Sequence, residues 1–189
     1  MTGFLRMLLL STLTGIVLVA SGCGERHEGP RLIGETEGPY IDVGGLRYQV
    51  QLSRILNPAE AEDASYLVGV PESEQPGARE AWFAIFLRVN NTSEETHESA
   101  EEFEIVDTQG NVYEPIEIDP EINPWVYEAQ TLAPGEMIPE LDSAAFNAPT
   151  RGELLLFKPT LQSLENRPLE FEIHSPENPD EVGIVDLDV

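Results

Sequence analysis

The side chains in this sequence with chemistry to offer are three histidines, one cysteine and 35 carboxylates, and their spacing excludes more than it suggests. His97 stands in Glu94-Glu-Thr-His-Glu-Ser-Ala-Glu-Glu102, which begins like a His-Glu-x-x-His zinc helix but puts Glu101 where the second imidazole must be. Two imidazoles one helical turn apart are what that chemistry needs, so the stretch reads as a solvated acidic loop. His27 and His174 have no ligand-spaced neighbour in the sequence, and Met137 lies far from all three histidines, so no zinc or copper site is expected. No Gly-x-Ser-x-Gly turn presents a serine nucleophile. Oxygen ligands for calcium cluster at Glu60-Ala-Glu62-Asp63, at Glu94–Glu102 and at Asp180-Glu181, without the fixed spacing of a calcium loop. Asp107 with Asp119, or Glu136 with Glu140, has the composition of a glycosidase acid and base, but in so acidic a chain such pairs arise by chance. The expectation is therefore no catalytic residue, no metal and no cofactor. Trp125 and Tyr127, two apart between turn-forming prolines, share a side if the segment is extended and would then form a contact surface for a peptide, glycan or protein. The plainer reading is that Trp125 plugs one open end of a core.

Cys23 is different, because its context specifies a reaction. It follows Ala20-Ser21-Gly22 and an apolar run from Met7 to Ala20, with Arg6 as the one charged side chain before it. About fourteen apolar residues are too few to cross a ~30 Å hydrocarbon core comfortably and fit the h-region of a signal peptide. The small residues ending in cysteine resemble the lipobox of bacterial lipoproteins, with Ala20 where Leu is commoner. A lone cysteine in an exported chain has no internal disulfide partner, and acylation of its sulfur is the simplest use for it. Each buried CH₂ of an acyl chain contributes roughly 0.8 kcal/mol, so a multiply acylated Cys23 would hold the chain on a bilayer almost permanently. The expected location is the extracytoplasmic face of the cell membrane.

Charge narrows the partners. All 35 acidic side chains follow Cys23, against nine basic ones, which leaves the part from Cys23 onward near −26. Phosphate neutralisation needs a basic face, so no nucleic acid is expected as a partner.

The elements that must position these residues are mostly strands. The expected division is a signal peptide at 1–22, a lipidated cysteine and flexible tether at 23–39, a β-sandwich at 40–175, and an acidic tail or edge strand at 176–189. Residues 24–39 hold four Gly and two Pro with little apolar periodicity. Period-two alternation puts Leu46, Tyr48, Val50 and Leu52 on one face of a strand, and Leu169, Phe171 and Ile173 on one face of another. Trp82–Val89 is apolar on both faces apart from Arg88, as a central strand would be. Phe103–Asp107 leads through Gly110 into a hairpin with Val112-Tyr113. Pro58–Ser65 predicts a turn or two of helix, and 15 prolines break longer candidates. The fold class expected is all-β, an antiparallel sandwich.

The order Trp82-Phe-Ala-Ile-Phe-Leu-Arg-Val-Asn-Asn91, Phe103-x-Ile-x-Asp-x-x-Gly-x-x-Tyr113, Leu132-x-Pro-Gly-Glu136 and Gly152-x-Leu-Leu-Leu156 resembles an uncharacterised immunoglobulin-like domain of bacterial lipoproteins and secreted antigens. That group includes the immunoprotective extracellular antigen type of sandwich. The resemblance spans Tyr48 to Ile173, departs at Asp119–Gln130, and implies an immunoglobulin-like fold with no catalytic residue. A binding or interaction module at the cell envelope is the function expected, with an envelope protein, peptide or glycan as partner. A structural envelope module is the alternative, and a cell-wall or glycan hydrolase the remote one.

Overall fold

The computed structural model describes residues 31–34 and 38–187; Cys23, the signal segment and most of the expected tether lie outside the described residues. The first strand, β1 (Arg31–Gly34), is followed by β2 (Ile41–Val43) and β3 (Leu46–Ile55). Gly44 and Gly45, at φ +54° and +74°, join β2 to β3 in a two-residue turn, with Val43 paired to Leu46. Positive φ at both central residues suits the right-handed twist of a tight hairpin and is open to glycine without strain.

In β3 the expected alternation holds through Leu46, Tyr48 and Val50, which are buried between the sheets. It fails at Leu52. Val50 pairs with Leu87 and Leu52 with Phe86, so Gln51 is an extra residue, and the bulge turns Leu52 to the opposite face. The next elements are α1 (Ala61–Tyr66), which overlaps the expected helical stretch and ends one residue beyond it, and β4 (Phe83–Asn90), buried on both faces. Then come β5 (His97–Glu98), β6 (Phe103–Val106) and β7 (Val112–Tyr113), the last two forming the expected hairpin around Gly110 at φ +81°. The chain continues with β8 (Thr131–Leu132), β9 (Met137–Ile138), α2 (Ala144–Asn147, capped by the Ser143 hydroxyl), β10 (Glu153–Phe157), β11 (Leu169–His174) and β12 (Val182–Leu187).

The strands form two main sheets packed as a β-sandwich, one ordered β1-β12-β11-β6-β7 and the other β10-β4-β3-β2, with β9 on the end of β4 and a separate β5-β8 pair. Phe83, Ile85 and Leu87 from one sheet meet Phe103, Ile105 and Phe171 from the other. The rings of Phe103 and Phe171 stack at 5.7 Å, and Phe157 meets Phe171 edge-on at 6.4 Å. A second apolar layer, with Tyr66, Trp82, Phe86, Leu154 and Leu156, covers the outer face of the β10-β4-β3-β2 sheet beneath α1 and the chain near Ile118. This layer explains why β4 carries apolar side chains on both faces.

Two boundaries differ from expectation. The stretch expected as tether contains β1, which pairs in parallel with β12, Ile33 opposite Ile184. In consequence β12 lies between β1 and β11 and is an internal strand, where the sequence suggested an edge or a trailing tail. No helix among the described residues is long and apolar enough to cross a membrane.

Candidate functional site

Proline placement opens a groove at the side of the sandwich. Beyond Tyr113 the chain turns away at Pro115 and crosses to the other sheet, where the Ile116 N–H donates to the Leu156 carbonyl at 2.7 Å. It returns at Val126, which bridges Leu154, and the Tyr127 N–H donates to the Leu154 carbonyl at 2.9 Å. This excursion closes the outer edge of β10 and leaves a groove of about 1030 Å³ between itself and the start of β6. Phe103, Ile116, Ile118 and Leu155 contribute apolar surface. One rim carries Glu101, Glu102 and Glu104; the other carries Glu114, Glu117 and Asp119, with Glu128 beyond them. No Lys, Arg or His lines it. Close carboxylates with low-dielectric walls focus a negative potential that draws in cations.

Two buried groups support the groove. Tyr127 packs its ring edge-on to Phe103 at 5.2 Å, and its hydroxyl donates to the Ser99 hydroxyl or the Ala100 carbonyl at 2.9 and 2.8 Å. The Tyr48 hydroxyl in turn accepts from the Ala100 N–H at 2.8 Å, so both tyrosines hold the segment that leads into β6. Burial pushes both phenols above their ordinary values, and they stay protonated. Glu153 is the second group. Leu155 and Phe157 point between the sheets, and period two along β10 sends Glu153 the same way. Burial raises its carboxyl to about 7, the Glu128 backbone N–H opposing and the Glu128 and Glu140 charges adding to the rise.

The sequence-selected residues are placed as follows. Trp125 and Tyr127 do not share a face: Trp125 packs edge-on against Tyr66 at 5.4 Å in the outer layer, while Tyr127 is buried between the sheets. Trp125 sits in a turn, its N–H donating to Asn123 Oδ1 at 3.1 Å, so the extended geometry that would align the pair is absent. The contact surface expected from these two side chains is not formed; Tyr127 lines the groove and Trp125 does not.

The candidate carboxylate pairs turn out to be local staples. Asp107 Oδ1 accepts from the Gln109 and Asn111 N–H groups, and its Oδ2 from the Asn111 and Asn166 amides. Asp119 accepts from the Glu121 N–H and Glu136 from the Ala133 N–H. In the cluster at residues 60–63, Asp63 is buried against the Arg54 guanidinium at 2.5 Å, with Glu62 at 3.5 Å from the same group. Asp63 also accepts from the Asn57 N–H at 2.7 Å. Glu181 accepts from the Gly44 N–H.

His97 is not loosely solvated. Its ring covers Gly45, where an added Cβ would lie 2.3 Å from Cε1, and its Nδ1 lies 2.8 Å from Glu177. Register brings together three residues that sequence spacing kept apart: Glu104 faces Glu172 across β6 and β11, and His174 Nε2 lies 3.9 and 3.8 Å from their carboxylates. The groove was not legible in the sequence because it depends on a long-range crossing. Pro115, two residues past Tyr113, was the available signal that the hairpin ladder must stop.

No protein-family model matches the chain, and no curated protein does. Among solved structures the chain is similar to the yjhA protein of Bacillus subtilis, at 10% identity and TM-score 0.48, over 82% of this chain and 100% of that one. It is similar to an uncharacterised β-sandwich protein of Clostridium difficile 630, at 12% identity and TM-score 0.45, over 85% and 97%. A third is ycdA of Bacillus subtilis, described as a "putative lipoprotein", at 10% identity and TM-score 0.46, over 81% and 39%.

Proposed function

We propose that this chain is a lipid-anchored, extracytoplasmic binding module that engages a partner at the cell envelope through its acidic groove. The observation that carries the reading is the groove itself, an open concavity with an apolar floor and seven rim carboxylates, lined by no basic side chain and approached by His174, whose Nε2 lies 3.9 Å from Glu104. Elsewhere Asp63, Asp107 and Glu136 are engaged in ion pairs or backbone hydrogen bonds. The lipobox-like Ala20-Ser21-Gly22-Cys23 supports diacylglyceryl attachment at Cys23. The resemblance to immunoglobulin-like domains of lipoproteins and secreted antigens supports the same address. A binding role is favoured over a hydrolase because Glu153, the carboxyl held near neutrality, points between the sheets and is not among the groove's lining side chains.

The test joins anchor and groove. Intact-mass spectrometry of the chain made in a bacterial host is expected to show a species beginning at Cys23 with acyl mass, absent from Cys23→Ala. A photo-crosslinking side chain at Glu117, exposed in the groove, is expected to join specific envelope proteins in cells, and one at Leu161, exposed outside it, is not. Identical adducts from both positions would overturn the binding role, and an unacylated chain cut elsewhere would overturn the anchor.

A further inference from the structure

We infer that Glu104, Glu172 and His174 form a binding site for one divalent transition-metal ion of the zinc type, built on the outward face of the β6–β11 pair. The site goes beyond the proposed function, since it needs no partner in the groove.

Strand phase and register place the three side chains. Phe171 and Ile173 point between the sheets, so period two turns Glu172 and His174 to the outer face. Glu172 stands directly opposite Glu104, and Ile173 opposite Phe103. One position further, the His174 N–H donates to the Glu102 carbonyl at 3.1 Å, which ties the backbone beneath the imidazole to β6. On its other edge β11 pairs with β12 from Leu169 to His174. The cluster therefore rises from an internal stretch of sheet, which fixes the spacing of its members better than a loop would.

The geometry suits a shared ion. His174 Nε2 lies 3.8 Å from the Glu172 carboxylate and 3.9 Å from that of Glu104, and the three ligand atoms all fall within 4.8 Å of one another. These separations are too long for hydrogen bonds. They approach the roughly 3.4 Å between two ligand atoms that each stand ~2.1 Å from a tetrahedral ion, and a small rotation of the carboxylate ends closes the gap. Like charges directly opposite weaken an antiparallel pair, and a cation held between Glu104 and Glu172 reverses that repulsion.

The donor set selects the ion. One imidazole with two carboxylates suits zinc, manganese(II) or iron(II), whereas calcium takes roughly six to eight oxygens and gains little from a nitrogen. Three protein ligands leave coordination open to water, the pattern of zinc sites that exchange a ligand. Solvent reaches the cluster through Glu104, whose side chain is 33% exposed against 12% for Glu172. The imidazole and the buried Glu172 set this cluster apart from the carboxylates of the groove rims. The competing arrangement is a protonated His174 that itself balances the two carboxylates. An imidazolium has no lone pair for a metal, so titration separates the two.

The experiment is calorimetric titration of the full chain with zinc chloride near neutral pH, on a Cys23→Ala background so that no free thiol competes for the ion. Zinc is expected to bind at one equivalent, and calcium about tenfold or more weakly. His174→Ala and Glu172→Gln, with the fold checked by circular dichroism, are each expected to weaken zinc by about tenfold or more, the loss seen when even a supporting residue of a metal site is removed. Glu170→Gln removes an equal charge from the same face of β11 without removing a ligand, and is expected to leave zinc affinity within about twofold. Manganese(II) is expected to broaden the ring proton resonances of His174 before those of His97, a readout on the intact cluster that decides the matter if either variant fails to fold. Zinc affinity unchanged in His174→Ala, an equal loss in Glu170→Gln, or equal broadening of both rings overturns the site and leaves a diffuse acidic face. Absence of zinc binding overturns it in favour of the imidazolium. The groove reading is decided separately, by the crosslinks from Glu117.

Discussion

Asp107 sits buried in the β6–β7 turn with four donors aimed at it, and this fixes how the protein should respond to acid. Burial alone would raise its pKa; the Asn166 and Asn111 donors outweigh it and hold the carboxyl well below the usual range. A lowered native pKa gives stability that is present above the unfolded value near ~3.9 and is lost as pH falls through the native one. Asp107→Ala is expected to cost about 2–3 kcal/mol at neutral pH and clearly less near about pH 2, read by urea denaturation at both. Glu153 runs the other way. Its pKa is raised to about 7, so its contribution is complete below the unfolded value and lost as pH rises through about 7. Glu153→Gln is therefore expected to stabilise the protein by about 2–3 kcal/mol at pH ~8 and to remove the decline in stability between pH ~5 and ~8, read by denaturation across that range. Neither role was legible in the sequence. Asp107 offered no more than a chance pairing with Asp119, because its donors at Asn111 and Asn166 are known only once the turns close. Glu153 looked like one more acid because only the phase of β10 shows that it points inward.

Among the elements, legibility followed how much of each strand's environment is local. β4, β6 and β11 carry long or clean period-two patterns and appeared where the sequence put them. β1 did not, because four residues beside glycines become a strand only through a partner some 150 positions away. The bulge at Gln51 was hidden for a related reason: a continuous alternation gives no sign that the partner strand is one residue short. Gly44-Gly45, by contrast, is a turn signal carried by two adjacent residues that both take positive φ. Gly152 precedes β10 where no side chain fits; an added Cβ would lie 2.8 Å from the Phe86 carbonyl carbon and 2.9 Å from the Leu87 nitrogen. Backbone atoms in a central strand have little room to yield. Gly152→Ala is expected to destabilise by about 1–3 kcal/mol, visible as a lower Tm, through displacement of β10 from β4. An unchanged Tm would mean that β10 can shift without cost to the outer layer.

At the scale of the whole molecule the dominant quantity is a formal charge of −25 on 189 residues. Like charges on a compact body repel, and salt screens them within a Debye length of about 8 Å at physiological ionic strength. Stability is therefore expected to rise as sodium chloride is raised from low ionic strength to about 0.5 M, measured as an upward drift of Tm. A Tm that stays flat over that range would mean that the carboxylates lie too far apart to repel one another in the folded protein.

With the proposed lipid on Cys23, the parallel strand β1 would also set a leash. Counted to Tyr40, the segment after Cys23 would let the sandwich wander, but pairing with β12 begins at Arg31, eight positions on. Eight residues reach about 28 Å at full extension, roughly the thickness of the hydrocarbon core itself. β1 occupies the border of its sheet farthest from β6 and β7. Register nonetheless brings Arg31, Val182, His174 and Glu102 to one end of that sheet, so a domain moored there would open its groove at the moored end and meet only what comes within a short radius of its mooring.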